Sequence, residues 1–186
     1  MRKLTVFNFV TLNGYFQGAN GDISWGHHKP QNDYAAETLK AGDILLFGRK
    51  TYELMVQFWP TPEAIKSAPE VATGMNKAEK IVFSRTLDKV EWKNARLMKD
   101  NIVEKITKMK QTPGNNMTVL GSGSIVNQFA DAGLIDELQL LVQPVALSEG
   151  TSILKGIKGT MNFELSNSRV FKTGNVLLVY QPIKNS

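Results

Sequence analysis

The chain has 186 residues, 42% of them hydrophobic and 21% charged, which suits one folded domain and excludes extensive disorder. No run approaches the roughly 20 apolar residues of a membrane helix, and the absence of cysteine excludes disulfides and thiolate chemistry. The net charge of +5 comes from scattered lysines with no block of like charges and no RNP or zinc-finger signature, so a small anionic ligand fits it better than nucleic acid or a membrane. The basic Met1-Arg2-Lys3 leads into a stretch broken by Asn8, Thr11, Asn13 and Gln17, with no small-residue cleavage site. The expected location is therefore the cytoplasm.

Lys3 to Leu12 is a β-branched and aromatic run that predicts the first strand. Residues 13–26 hold glycines 14, 18, 21 and 26 with Asn20 and Asp22, and predict a long loop of the kind that carries function. Gln31 to Lys40 predicts a helix with Tyr34, Ala35, Ala36 and Leu39 on its apolar face. Asp43 to Phe47 predicts a strand covered on both faces and ending in Gly48. Thr51 to Phe58 predicts a helix stopped at Trp59-Pro60. Pro60, Pro62 and Pro69 punctuate residues 60–78, which predict a short surface helix.

Lys80 to Phe83 and Ala95 to Met98 predict two further strands, and Asn101 to Lys110 a helix closed by Pro113-Gly114. Met117 to Leu120 predicts a strand running into Gly121-Ser122-Gly123-Ser124, then a helix over 124–132 with Gly133 as a left-handed cap. Glu137 to Val142, Met161 to Val170 and Val176 to Gln181 read as strands. Successive βα units with a strand-rich tail predict one α/β domain over 1–186, a mixed sheet with helices on both faces.

Two of these strand-to-helix turns are shaped for phosphate. A strand that enters a helix through glycine leaves backbone N–H groups unpaired at the positive end of the helix dipole. In Gly48-Arg49-Lys50-Thr51, Gly48 permits close approach, Arg49 and Lys50 add full charges, and Thr51 can cap the helix or donate to phosphate. In Gly121-Ser122-Gly123-Ser124-Ile125, glycines and hydroxyls offer a neutral cradle. One charged arm and one neutral arm suit a terminal phosphate and a bridging pyrophosphate, the pair that NADPH carries. Ser84 and Arg85 end a third strand with a hydroxyl and a cation. Each turn also has a plainer reading as a simple loop with solvated cations. Val126 in the third glycine position excludes the Rossmann fingerprint, and no Gly-Lys-Ser/Thr makes a Walker loop.

At this level the sequence resembles the dihydrofolate reductase-like superfamily. Gly48 to Glu53 looks like the signature turn of dihydrofolate reductases, and Gly121 to Ile125 like their second glycine-rich turn. Thr11 to Phe16, Gly21-Asp22 and Trp25 match that superfamily's first strand and mobile loop. Asp131 to Leu138 followed by Pro144-Val145 resembles, more narrowly, the reductase domain of bifunctional riboflavin-biosynthesis deaminase-reductases and their stand-alone relatives.

The resemblance implies a three-layer fold with a central mixed sheet of about eight strands, NADPH as cofactor and commonly a homodimer. It implies a 2′-phosphate near Arg49, Lys50 and Thr51, adenosine beside Ser84 and Arg85, and pyrophosphate held by Gly121, Ser122, Gly123, Ser124 and Ile125. The loop from Asn13 to Trp25 would close over the nicotinamide. Asn13 stands where an aspartate is usual, and counting back from Gly48 to the family's first-helix acid lands on Asn32, one place from Asp33.

For catalysis the candidates are Asp33 and Glu37, four apart on one helical face, as paired carboxylates need. The same spacing also fits a solvated surface. Trp25, Phe58 and Trp59 could stack on a flat heterocycle or pack in the core. His27 and His28 lack a third ligand at metal-site spacing, so no metal is expected. The expected function is NADPH-dependent reduction of a pyrimidine, pterin or flavin precursor. A non-catalytic NADP(H)-binding or sensing protein is the alternative.

Overall fold

The computed structural model describes residues 1–26 and 30–183, with side chains except at 30–33. Ten strands and six α-helices run in the order β1 (Leu4–Thr11), β2 (Tyr15–Gly18), α1 (Pro30–Lys40), β3 (Ile44–Gly48), α2 (Arg49–Phe58), α3 (Pro62–Ser67), α4 (Pro69–Lys77), β4 (Lys80–Phe83), β5 (Ala95–Met98), α5 (Ile102–Gln111), β6 (Met117–Leu120), α6 (Gly123–Asp131), β7 (Glu137–Gln143), β8 (Gly150–Ser152), β9 (Phe163–Val170) and β10 (Val176–Pro182). Among these residues no helix is long and apolar enough to cross a membrane.

Eight strands form one sheet in the order β5-β4-β3-β6-β1-β7-β10-β9. The ladder from β5 to β7 is parallel throughout, and β10 runs antiparallel to both β7 and β9. This is the mixed three-layer α/β arrangement, and it follows from the patterning. In the short strands, alternate residues feed opposite cores, since side chains alternate across a sheet. Ile44 and Leu46, with Ile81, pack with Ile106 of α5 and Val126 and Phe129 of α6. Leu45, Phe47 and Val82 pack on the other face with Ala36, Tyr52, Val71 and Met75 of α1, α2 and α4. A third cluster joins Tyr34 to Phe7, Leu141, Leu177 and Val179.

Two local expectations change. The loop over 13–26 contains β2, which pairs antiparallel with β8 in a separate two-stranded sheet. β8 is too short, and its Gly-Thr-Ser too polar, to show a strand pattern. Residues 60–78 form two helices rather than one, because Thr61 caps α3 through Ala64 N–H at 3.2 Å and Pro69 starts α4 afresh. Gly133 has φ 63, the left-handed conformation expected after α6.

Candidate active site

β3 and β6 are parallel neighbours, with Ile44 opposite Met117 and Leu46 opposite Val119, so Gly48 and Gly121 emerge side by side. From there α2 packs on one face of the sheet through Tyr52, and α6 on the other through Ile125, Val126 and Phe129. Adjacent parallel strands that send their helices to opposite faces open a crevice at their carboxyl ends, where open α/β sheets bind ligands.

Ser122 joins the two lips of this crevice. Its Oγ accepts the Gly48 N–H at 2.7 Å and donates to Thr51 Oγ1 at 2.9 Å. Thr51 is therefore a cross-link and not a cap; Gly48 holds the N-cap position of α2 without a side-chain bond. Gly121 and Ser122 both have left-handed backbone, with φ 62 and 63. For a non-glycine residue such as Ser122 this costs about 1–2 kcal/mol. The first turns of two helices, with N–H groups that have no acceptor inside the helix, thus start at one place and add their partial positive charge.

Two cavities flank the joined turns. The larger, about 820 Å³, lies between Lys50, Glu53, Leu54 and Gln57 of α2 and the segments 17–21 and 149–151. The smaller, about 540 Å³, lies at the ends of β4 and β5, lined by Ser84, Arg85, Lys99, Asn101 and Ile125 among others. Arg49 is half-exposed and paired with Glu53 at 3.2 Å. Ser84 Oγ accepts N–H groups of Thr86 and Leu87 at 3.2 and 3.1 Å, which shapes the turn that presents Arg85. Gly123 lies under Phe16, where an added Cβ would come within 3.4 Å of the ring, and Ser124 is exposed at the start of α6.

The remaining candidates are dispersed. Asn13 clamps two loops: its Nδ2 donates to Leu147 O at 2.7 Å and its Oδ1 accepts from Thr11 Oγ1 at 2.8 Å. Phe58 and Trp59 stack edge to face at 5.1 Å, but Trp59 turns toward α4, where Asn76 Nδ2 donates to its carbonyl at 2.9 Å. Neither lines the larger cavity. Trp25 is half-buried, its Nε1 donating to Asp22 O at 3.2 Å.

Glu37 is engaged by Arg169 of β9 at 2.8 Å. Burial first, then the charges of Glu137 and Glu37, push the Tyr34 hydroxyl up to about 12. The Asp33 side chain, His27 and His28 lie outside the described residues.

Sequence reasoning passed over Glu53, Leu54 and Gln57. Their signal was present, since Lys50, Glu53, Leu54 and Gln57 follow the i, i+3, i+4, i+7 spacing of one helical face. The opposite wall had no such signal, because it depends on β2 pairing with β8 across more than a hundred residues.

That wall yields a prediction. A Cβ at Gly150 would stand 2.5 Å from Gln17 O and 2.7 Å from Tyr15 Cγ, one of them backbone that cannot rotate away. Gly150→Ala is expected to part β2 from β8, raising amide exchange at residues 15–18 by about tenfold or more while the central sheet keeps its protection. Unchanged exchange there would show that the pairing tolerates the methyl.

The family model described as RibD C-terminal domain matches residues 2–177. The protein YyaP of Bacillus subtilis (strain 168) is 32% identical over 179 residues, covering 96% of this chain and 94% of its own. A Shewanella sp. PV-4 structure with a provisional riboflavin-biosynthesis name superposes with TM-score 0.77 at 22% identity, covering 98% of this chain and 99% of that one. The Thermotoga maritima diaminohydroxyphosphoribosylaminopyrimidine deaminase/5-amino-6-(5-phosphoribosylamino)uracil reductase superposes with TM-score 0.67 at 16% identity, covering 98% of this chain and 57% of that longer one.

Proposed function

This chain belongs to the RibD C-terminal domain family, and on that footing we propose that it is an NADPH-dependent reductase of a small heterocycle of the pyrimidine, pterin or flavin-precursor type. The proposal includes a cytoplasmic location and a homodimer. The observation that carries it is the junction at Ser122, where two helix N-termini meet between two cavities. A dinucleotide is a two-lobed ligand with its phosphates in the middle, and this arrangement suits one.

NADPH, when bound, supplies the hydride. The chain supplies position and charge. The N–H groups that open α2 and α6, with the Ser124 hydroxyl, would hold the phosphates. Arg49 and Arg85 would add full charges for the 2′-phosphate, while Lys50 lines the larger cavity. The larger cavity would take the heterocycle, with segment 17–21 limiting water. Glu53 and Glu149 are the carboxylates on its wall, and Glu53 is paired with Arg49. Asp33 stays in the proposal on the resemblance alone.

The test is cofactor titration followed by tryptophan fluorescence, then oxidation at 340 nm with a panel of dihydropterins and aminouracils. Arg49→Ala should weaken NADPH by about 10- to 100-fold, the loss of a charge-assisted hydrogen bond, and leave NADH nearly unchanged. Equal loss for both cofactors would remove the 2′-phosphate from Arg49. A wild-type chain with no saturable response to NADPH would end the reductase proposal.

A further inference from the structure

β9 is the last strand of the eight-stranded sheet, and among the described residues no strand pairs with its outer edge. The edge strand on the other side, β5, has four residues; β9 has eight, and all but Phe163 are exposed. A long edge leaves a row of backbone N–H and C=O groups open to another strand, and chains often blunt it with proline or lysine. Phe-Glu-Leu-Ser-Asn-Ser-Arg-Val contains neither. It also presents apolar side chains, with Leu165 54% and Val170 76% exposed.

A bulge decides which strand would fit this edge. Leu165 is opposite Tyr180 and Asn167 is opposite Val179, so Ser166 is an extra residue in β9. In an unbroken strand Glu164 and Arg169 would lie on opposite faces, because side chains alternate. The bulge brings them to one face, opposite Gln181 and Leu177 of β10. It likewise gathers Phe163, Leu165, Ser168 and Val170 on the other face, opposite Pro182, Tyr180, Leu178 and Val176.

We propose that β9 pairs antiparallel with β9 of a second copy of this chain, about a two-fold axis normal to the sheet and between Ser166 and Asn167. This rests on the homodimer in the reading above and gives it a surface. A two-fold interface must be self-complementary, and this register is. Glu164 faces the partner's Arg169 at both ends of the seam, and these are the only charged residues of β9. On the opposite face Phe163 meets the partner's Val170, and Leu165 meets the partner's Ser168, so every pair joins side chains of one face. Arg169 already holds Glu37 at 2.8 Å and lies over the Phe171 ring, but its five donors serve more than one carboxylate. Asn167 Oδ1 accepts the Ser168 N–H at 2.8 Å, a local bond that a partner strand can replace. The crevice between β3 and β6 lies well away from this seam.

The test is sedimentation equilibrium of the full chain over a concentration series, with Glu164→Lys, Arg169→Glu and an equal mixture of the two. The wild-type chain should be a dimer. Each variant alone sets like charges opposite each other at both ends of the seam and should raise the dimer dissociation constant by about tenfold or more. In the mixture each substituted position meets an opposite charge, so the mixed dimer should return to about the wild-type affinity. That recovery separates the seam from the loss of the Glu37 pair in Arg169→Glu.

Variants that dimerise like the wild type, or a mixture that does not recover, would overturn the β9 seam and leave the homodimer to another surface. A monomeric wild-type chain would overturn the seam and the homodimer together. The cofactor reading fails separately, as a wild-type chain that binds no NADPH in either oligomeric state.

Discussion

Gly121→Val is expected to weaken NADPH binding by at least about 100-fold, close to 3 kcal/mol, and to lower Tm by roughly 4–12 °C. Two costs combine at this position. The backbone has φ 62, where a β-branched residue is strained by more than the 1–2 kcal/mol typical of other side chains. The added Cβ would also meet Thr51 Oγ1 at 3.0 Å and Thr51 Cγ2 at 3.2 Å. Relief requires the turn to move off α2, which breaks the Ser122 bonds to Gly48 and Thr51 and separates the two helix N-termini. Gly42→Ala is the control. Gly42 also has positive φ, 77, but an added Cβ there meets nothing within 4 Å. It should lower Tm with NADPH affinity intact. Wild-type affinity in Gly121→Val would show that the two turns do not act on one ligand.

Lys80→Ala is expected to destabilise the chain by about 3–5 kcal/mol at pH 7, the range for emptying a large buried site and orphaning its partners. Lys80 is fully buried at the start of β4. Its ammonium donates to Ala78 O at 2.6 Å, Lys93 O at 3.0 Å and Asn76 O at 3.3 Å, and lies 4.7 Å from the centre of the Trp92 ring. Two of those carbonyls close the C-terminal end of α4, where a cation opposes the dipole favourably. The residue thus ties α4 to the segment carrying Trp92, itself stacked on Phe47 at 6.0 Å.

Burial pushes the Lys80 ammonium down to about 8 from 10.5. Between those values the unfolded chain holds a proton that the native chain has released, so stability rises with pH across the window from 8 to 10.5. The carbonyls retain part of the charge preference, and the gain is on the order of 1–3 kcal/mol. Tyr34 acts in the opposite sense. Its hydroxyl, raised to about 12, keeps its proton in the native state after the unfolded tyrosine has lost it near 10, so stability falls above that pH. Denaturant unfolding at stepped pH should show a maximum near pH 10. Lys80→Met, which keeps the packing, should flatten the rising limb; an unaltered limb would assign that titration to another group.

The secondary structure was mostly legible, because in this chain it is enforced locally. Ile44 to Phe47 and Ile81 to Phe83 are apolar at every position, which only a strand buried on both faces permits. The two strand-to-helix turns were legible for a related reason. Gly121 occupies a backbone conformation that favours glycine, and the hydroxyls of Thr51 and Ser122 stand within a few residues of the helix starts they serve. The face of α2 toward the larger cavity could have been read from its spacing as well.

What the linear order did not carry is the outcome of pairing. Local residue types say that Asn13 can accept and donate, but only the approach of residues 145–147 turns it into a loop clamp. Glu37 looks like half of a carboxylate pair until β9, 132 residues away, brings Arg169 against it. Lys80 reads as a surface charge until α4 and the 90–94 segment close over it. Asn8 reads as an interruption in a strand until β7 pairs with it through Leu140. By itself the sequence determined the elements, the two sheet faces and the chemistry available at the turns. The tertiary structure decided which of those groups meet, because strand order is set by the total burial of the domain, and no short window of sequence contains that quantity.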